Sequence, residues 1–210
     1  MNQQDNQLLF LNGYFDAMTS LLLNHDIKSG IANDIATART QYTLAELRGD
    51  LKMHVIDFLW RCELIHKEEQ IISLVGADLS HLTVTNRTIC GIDFTDADMS
   101  GAKLERVSFA SCNLSAVNMT GSTLSRVRFD RSNIDMLCLN DSLLRGLLFN
   151  NAEFDYIEFY RCDIANFEPM PQRVAEQIIE CLEADKESAD DAGRIAIDVM
   201  IAGVRENCYV

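Results

Sequence analysis

The chain has 210 residues, of which 48% are hydrophobic, and a formal net charge of −14. This length and apolar content suffice for one core with capping elements, and the acidic balance argues against binding to nucleic-acid phosphates. No apolar run approaches the ~18 residues that span a bilayer, and the start MNQQDNQ lacks a signal peptide's basic region, so we expect a cytoplasmic protein without a membrane segment.

Residues 1–71 are predicted to form a helical N-terminal region. Apolar residues recur there at helical spacing, and Asp5 is a candidate N-cap of the first helix. Gly30 and Gly49 separate this first pattern from two further helical patterns. The region then leads directly into a repeat, and residues 72–76 are a candidate capping unit at its start.

From Ala77 to Asn166 every fifth residue is apolar, without an insertion or a deletion. The eighteen central residues are Leu79, Val84, Ile89, Phe94, Met99, Leu104, Phe109, Leu114, Met119, Leu124, Phe129, Ile134, Leu139, Leu144, Phe149, Phe154, Phe159 and Ile164. A period of five fits neither an α-helix nor a flat strand. So short a unit cannot bury its own apolar residue, and therefore the units must stack and share a core.

The units also share the residues around the centre, as in Ala77-Asp78-Leu79-Ser80, Ala97-Asp98-Met99-Ser100-Gly101, Cys112-Asn113-Leu114-Ser115 and Val117-Asn118-Met119-Thr120-Gly121. This pattern resembles the A(D/N)LXX signature of the pentapeptide-repeat family. The resemblance implies a mainly β fold, a right-handed four-sided parallel β-helix with twenty residues per coil. Residues 72–166 would then form a solenoid of about 4.5 coils, roughly 22 Å long at about 4.8 Å per coil.

In such a coil the central residue and the residue two before it point inward. Residues twenty apart should therefore stack, and we expect a core with the aromatic residues Phe94, Phe109, Phe129, Phe149, Phe154 and Phe159. Asp or Asn before the centre should accept hydrogen bonds from turn amides. Arg87 occupies an inward position, and because an unpaired buried guanidinium is costly, we predict an irregular or open first coil there.

Residues 167–210 are predicted to form a C-terminal helical cap. Two prolines, Pro169 and Pro171, end the repeat, and two amphipathic helical patterns follow. The last pattern has apolar residues on two sides: Ala192, Ile195, Ala196, Val199 and Ala202 on one, and Ile197, Met200, Ile201 and Val204 on the other. Two apolar sides indicate two neighbours, either both within the chain or one in a second copy, so a homodimer joined by the C-terminal helices is one alternative.

The four sides of the predicted solenoid, named after their first central residues, differ in charge. The adjacent Leu79 and Phe94 sides carry the acids Asp78, Asp93, Asp96, Asp98, Asp135, Asp141, Glu153, Asp155 and Glu158, with Arg161 as their one base. The Val84 and Ile89 sides carry Arg87, Lys103, Arg106, Arg126, Arg128, Arg131 and Arg145 against Glu105, Asp130 and Asp163. We call these pairs of sides the acidic half and the basic half.

Outward apolar residues in the late coils form a second candidate surface, a patch of Leu143, Leu148, Tyr156 and Tyr160. The alternative role of these residues is to receive the C-terminal helices.

No pattern of catalytic, cofactor or metal chemistry stands out. The histidines are dispersed, the seven cysteines contain no CxxC pair, and phosphate-binding and nucleophile motifs are missing. We therefore expect a non-enzymatic scaffold without cofactors, which binds an unidentified protein through its charge-polarised faces.

The alternative function follows from the family resemblance, because quinolone-resistance members imitate DNA and act on gyrase. B-DNA carries one charge per ~1.7 Å, so a 22 Å stretch has roughly thirteen charges. The nine acids of the acidic half fall short of that number. Gyrase or another topoisomerase is nevertheless the alternative partner that the resemblance implies.

Overall fold

The N-terminal third of the computed structural model is helical; the structure describes residues 3–28, 30–166 and 169–209. Helix α1 spans Gln3–Asn24, α2 spans Ile31–Glu46 and α3 spans Gly49–Arg61. The helices share an apolar core, in which the Tyr14 hydroxyl and the Thr40 hydroxyl are 2.9 Å apart. Asp5 lies within the first turn of α1 rather than before it, so the predicted N-cap at Asp5 is wrong.

In the described residues after α3 there are ten strands, and most of them belong to a solenoid. They are β1 (Thr83–Cys90), β2 (Lys103–Ala110), β3 (Thr123–Ser125), β4 (Arg128–Asp130), β5 (Leu137–Cys138), β6 (Leu143–Arg145), β7 (Ile157–Glu158), β8 (Asp163–Ala165), β9 (Met170–Pro171) and β10 (Cys208–Tyr209). All pairs between these strands are parallel.

The strands pair at an offset of twenty residues. Val84 lies beside Leu104, Leu104 beside Leu124, Leu124 beside Leu144, and Leu144 beside Ile164. Isolated bridges continue the same offset on the other sides, for example from Asp78 to Asp98. The predicted parallel β-helix is therefore confirmed, with about four coils between N-terminal and C-terminal helices.

Aromatic rings stack along the inside of the Ile89 side. The rings of Phe109 and Phe129 are 5.8 Å apart, and those of Phe129 and Phe149 are 5.6 Å apart, both in stacked geometry. Phe94 and Phe159 are also buried. Phe154 differs from the prediction because it is only half-buried, with the guanidinium of Arg173 5.6 Å from its ring centroid.

The turns between the sides repeat one backbone conformation. The residue two after each centre has a positive φ, between 52° and 59° at non-glycine positions such as Arg106 and Arg131. Tyr156 is an exception among the described turn residues, since its φ is not positive. At that corner the carboxylate of Asp135 accepts from the N–H groups of Asp155 and Tyr156, at 2.9 and 3.1 Å.

Helix α3 covers the open edge of the first coil. Because no coil precedes the first one, the carbonyls of Asp78 and Cys90 have no strand partner on that side. The Asp78 carbonyl accepts instead from Lys52 Nζ at 3.0 Å, and the Cys90 carbonyl accepts from Trp60 Nε1 at 3.2 Å. Gly49 makes this approach possible, because a Cβ there would lie 1.8 Å from the carbonyl oxygen of His81. The cap satisfies backbone groups that would otherwise form an exposed edge.

Of the two alternatives predicted at Arg87, an irregular first coil is wrong, whereas a coil that is open at this position is found. Arg87 pairs with Val107 in a regular parallel ladder. Its side chain is 45% exposed, and its guanidinium lies 2.5 Å from a carboxylate oxygen of Asp57 on α3. Because the first coil has no predecessor, the side chain can extend toward α3 and avoid the cost of unpaired burial.

Helix α4 (Gln172–Ser188) covers the last coil in the same manner. The Gln177 side chain accepts from the N–H of Ile157 at 3.0 Å and donates to the carbonyl of Asp155 at 2.8 Å. The carboxylate of Asp185 accepts from the N–H of Arg161. One amide side chain thus replaces the strand partners of two backbone groups.

Helix α5 (Asp191–Glu206) packs on α4 and on β8 with one of its two apolar sides. Asp190 is its N-cap and accepts from the N–H of Gly193 at 2.8 Å. After α5 the chain returns to pair β10 with β9, where Met170 donates to Asn207. This short pair was not predicted, and Phe167 and Glu168 lie outside the described residues.

Candidate functional site

Several acids of the acidic half hold the turns of the solenoid. Asp78, Asp93 and Asp98 each accept a backbone N–H from the residue two positions later, at 2.9 to 3.0 Å. Asn113 and Asn118 make the equivalent bonds in the next coils, at 3.2 and 3.0 Å. The residue type before the centre is therefore explained by turn structure, because either a carboxylate or an amide oxygen serves.

Three of the nine acids are paired with cations. Asp78 is 2.8 Å from Lys52, Asp141 is 2.6 Å from Arg161, and Asp155 is 2.9 Å from Arg173. Subtracting these three leaves six acids of this half without an ion pair in the described structure: Asp93, Asp96, Asp98, Asp135, Glu153 and Glu158.

Hydrogen bonds lower the pKa of two acids of the acidic half, Asp135 and Asp78, and so keep them ionised. The N–H groups of Asp155 and Tyr156 hold the pKa of Asp135 below its usual value. Burial raises the pKa of Asp78, but hydrogen bonds from Lys52 and Ser80 outweigh it, so the net pKa is lowered. The corresponding negative charges are therefore present throughout the neutral range.

Most cations of the basic half are paired within the structure. Arg87 contacts Asp57, Arg106 contacts Glu105, Arg128 contacts Asp130 and Arg145 contacts Asp163. Within the described residues, Lys103, Arg126 and Arg131 have no ion-pair partner. Counted over the described part of the chain, the two halves thus keep opposite charges after ion pairing, with six unpaired acids on one and three unpaired bases on the other.

The four residues of the predicted apolar patch lie on different sides of the solenoid. Leu143 stacks on Thr123 on the Val84 side, and Leu148 stacks on Arg128 on the Ile89 side. Tyr156 and Tyr160 interact with one another on the acidic half, and Tyr160 also reaches Cys181 of α4. Tyr160 therefore contacts a C-terminal helix, and an interaction surface formed by the four residues stays a prediction.

Two apolar surfaces lie outside the solenoid. The first, which we call the N-terminal groove, runs between α1 and α2 and has a volume of about 790 Å³. The second is the α5 stripe, defined as Ala192, Ile195, Ala196, Val199 and Ala202, all exposed. The double apolar pattern of α5 indicated the stripe in advance. The groove was missed, although Leu9 and Tyr42 depart from the buried faces of their helices and could have indicated it.

The described residues contain no cluster of three or more acidic, histidine or cysteine side chains arranged to hold a metal ion. Burial raises the pKa of Cys112 to about 11 and that of Cys162 to about 12, so both thiols are protonated at neutral pH. None of the helices in the described part of the chain is long and apolar enough to cross a bilayer.

Two family models match the solenoid. The model described as "Pentapeptide repeats (8 copies)" matches residues 72–110, and the one described as "Pentapeptide repeat region" matches residues 102–168. No curated protein matches the sequence significantly.

Solved structures of pentapeptide repeat proteins are also similar. One, from the Arabidopsis thaliana thylakoid lumen, is 16% identical over 52% of this chain and 75% of its own, with a TM-score of 0.30. HetL of Nostoc sp. strain PCC 7120, involved in heterocyst differentiation regulation, is 17% identical over 43% of this chain and 52% of its own, with a TM-score of 0.29. Rfr23 of Cyanothece 51142 is 18% identical over 40% of this chain and 65% of its own, with a TM-score of 0.19.

Proposed function

Because residues 72–168 make this chain a pentapeptide-repeat protein, we propose that it is a non-catalytic scaffold that binds another protein through its acidic half. The observation that carries the proposal is the charge polarisation that persists after every ion pair is counted. Among the residues that the structure describes, six acids without an ion-pair partner lie on the acidic half and three bases without one lie on the basic half.

The acids lie close enough to act together. The solenoid is roughly 22 Å long, and the Debye length at physiological ionic strength is about 8 Å, so neighbouring charges are only partly screened from one another. A partner with a basic surface would be attracted to this half and oriented by the opposite charge of the other half. The partner class is therefore a protein with a cluster of Lys and Arg.

The acids of the acidic half differ in their hydrogen bonds, so a variant can remove charge without removing a bond that holds a turn. Asp96 and Glu153 are exposed, and neither side chain makes a hydrogen bond within the described structure. Glu158 accepts from Asn140 at 2.7 Å, a bond that a glutamine can retain. Asn tolerates the positive φ of Asp96, so the triple variant Asp96→Asn, Glu153→Gln, Glu158→Gln removes charge and preserves the fold.

The experiment is quantitative affinity capture with the wild-type chain, this triple variant and a matched control. The control, Glu180→Gln, Glu183→Gln, Glu187→Gln, neutralises three exposed acids of α4 and changes the net charge equally. We expect a partner that the wild type and the control capture, that salt elutes, and that the triple variant loses. Equal capture by all three proteins would refute binding through the acidic half.

Imitation of DNA is the alternative function, and the structure weakens its basis. A B-DNA segment of this length carries roughly thirteen charges, whereas the acidic half has six acids without an ion pair in the described structure. Three of these six acids also accept backbone hydrogen bonds at turns. Under the scaffold proposal, micromolar protein leaves gyrase supercoiling unchanged. Stoichiometric, salt-sensitive inhibition that the triple variant abolishes would establish the alternative instead.

A further inference from the structure

The N-terminal groove is an open apolar surface on an acidic protein. Leu9, Phe10 and Tyr14 of α1 line one wall, and Ile35 and Tyr42 of α2 line the other. Three of these side chains are exposed, Leu9 at 64%, Tyr42 at 60% and Ile35 at 45%, whereas Phe10 is half-buried and Tyr14 forms the buried floor. Contiguous exposed apolar area of this kind marks an interaction site, and a cleft between two helices suits a third helix.

The α5 stripe has the shape that such a cleft accepts. Ile195 and Val199 are each 67% exposed and stand one turn apart, as helix-in-groove anchors do. Ala192 and Ala196 flank them on the same face, and their small side chains allow the helix backbone to come close to a neighbour.

The N-terminal groove and the α5 stripe are complementary in charge as well as in shape. Of the described residues that line the groove, Arg39 is the charged one. Glu206 is exposed and lies seven residues after Val199, which places its carboxylate on the face of the α5 stripe. A cation in one surface and an anion at one end of the other favour an orientation of the helix that brings Arg39 and Glu206 together.

The stripe cannot fill the groove of its own chain. Helix α2 is tied to the start of the solenoid, where Gln41 donates to the carbonyls of Ser73 and Val75. Helix α5 packs on β8, four coil spacings beyond β1, or about 19 Å along the axis. Contact between the two surfaces is therefore intermolecular.

We propose that the N-terminal groove binds helix α5 of a second copy of this chain. The contact is heterologous, because different surfaces of the two copies meet. A direct contact between two α5 stripes would bury one helix face of about 24 Å per copy and would leave both grooves open. Placing the stripe in the groove covers both apolar surfaces and pairs Arg39 with Glu206.

Sedimentation velocity of the full chain over a wide concentration range tests the proposal. We expect reversible self-association that weakens about tenfold or more in a groove variant, Leu9→Asp with Tyr42→Asp, and equally in a stripe variant, Ile195→Asp with Val199→Asp. Leu23→Asp is the matched control, since Leu23 is 79% exposed but does not line the groove. Circular dichroism establishes that each variant is folded.

Mixing the two variants distinguishes the proposed contact from others. The groove variant keeps an intact stripe and the stripe variant keeps an intact groove, so the mixture should form a one-to-one heterodimer that neither variant forms alone. A groove variant that still self-associates, or a wild-type chain that stays monomeric at every concentration, would overturn the proposal.

A charge exchange gives an independent measurement. Arg39→Glu alone should weaken association, and adding Glu206→Arg in the same chain should restore it. If the double exchange is as weak as Arg39→Glu alone, the orientation of α5 in the groove is refuted.

Discussion

Substituting Gly49 by alanine should weaken the attachment of the helical region to the solenoid. The added Cβ would lie 1.8 Å from the carbonyl oxygen of His81 and 2.4 Å from its carbonyl carbon, whereas real Cβ contacts stay above 3.0 Å. Either α3 or the first turn must therefore move by more than an ångström. The His81 atoms in the clash belong to the backbone, so no flexible side chain can absorb the displacement.

The expected magnitude follows from two opposing effects. Overpacking costs about 1–3 kcal/mol, and a displacement this large falls at the upper end of that range. Alanine in a helix gains at most about 1 kcal/mol over glycine. The free energy of unfolding should therefore fall by about 2 kcal/mol, because the clash outweighs the propensity.

Gly13 supplies the matched control for this substitution. It also lies within a helix, but a Cβ there would meet no atom within 4 Å, so Gly13→Ala should raise the free energy of unfolding by about 1 kcal/mol. Urea denaturation followed by circular dichroism, at concentrations where the chain is monomeric, measures both. If the two variants shift stability in the same direction, the close approach of α3 to His81 is refuted.

Three further predictions concern the core, the acids and the thiols. Phe129→Ala should cost about 4 kcal/mol in urea denaturation, because the buried ring stacks on both neighbours of its column; a loss below about 1 kcal/mol would contradict the column. The lowered pKa of Asp135 stabilises the fold above the carboxyl's unfolded-state pKa of about 4, and this contribution is lost as pH falls through the folded-state value. Asp135→Asn should therefore flatten the dependence of melting temperature on pH in the acid range, and an unchanged profile would contradict the role of the Asp135 carboxylate. A thiol reagent should label exposed Cys90 and Cys208 quickly and buried Cys112 and Cys162 only upon unfolding, and rapid native labelling of the buried pair would be inconsistent with their burial.

The solenoid was predictable because the five-residue period indicates which residues are buried, and the family resemblance implies four units per coil. The offset of twenty residues that this resemblance implies is found in the structure, where Leu104 lies beside Leu124. The acids of the turns were predictable for the same reason. Asp98 and Asn118 hold equivalent places, and each accepts the N–H two residues later.

The ends of the solenoid could not be predicted in this way, because their environment is not periodic. Arg87 looked like a defect within a repeat, and only the position of Asp57 on α3 explains how its charge is paired. Phe154 kept the period but lost full burial, since Arg173 and not another coil lies over its ring. In both cases a helix distant in sequence determines the outcome.

Pair distances along one outward column test the central claim most directly. Thr83, Lys103, Thr123 and Leu143 are exposed and stand in consecutive coils of the Val84 side. Spin labels attached to pairs of cysteines there, in a Cys90→Ser and Cys208→Ser background, report the spacing by electron paramagnetic resonance. Separations of 20, 40 and 60 residues should give distances that rise in equal steps of about 4.8 Å. Distances that do not grow in equal steps would contradict the stacked coils and the charge map that depends on them.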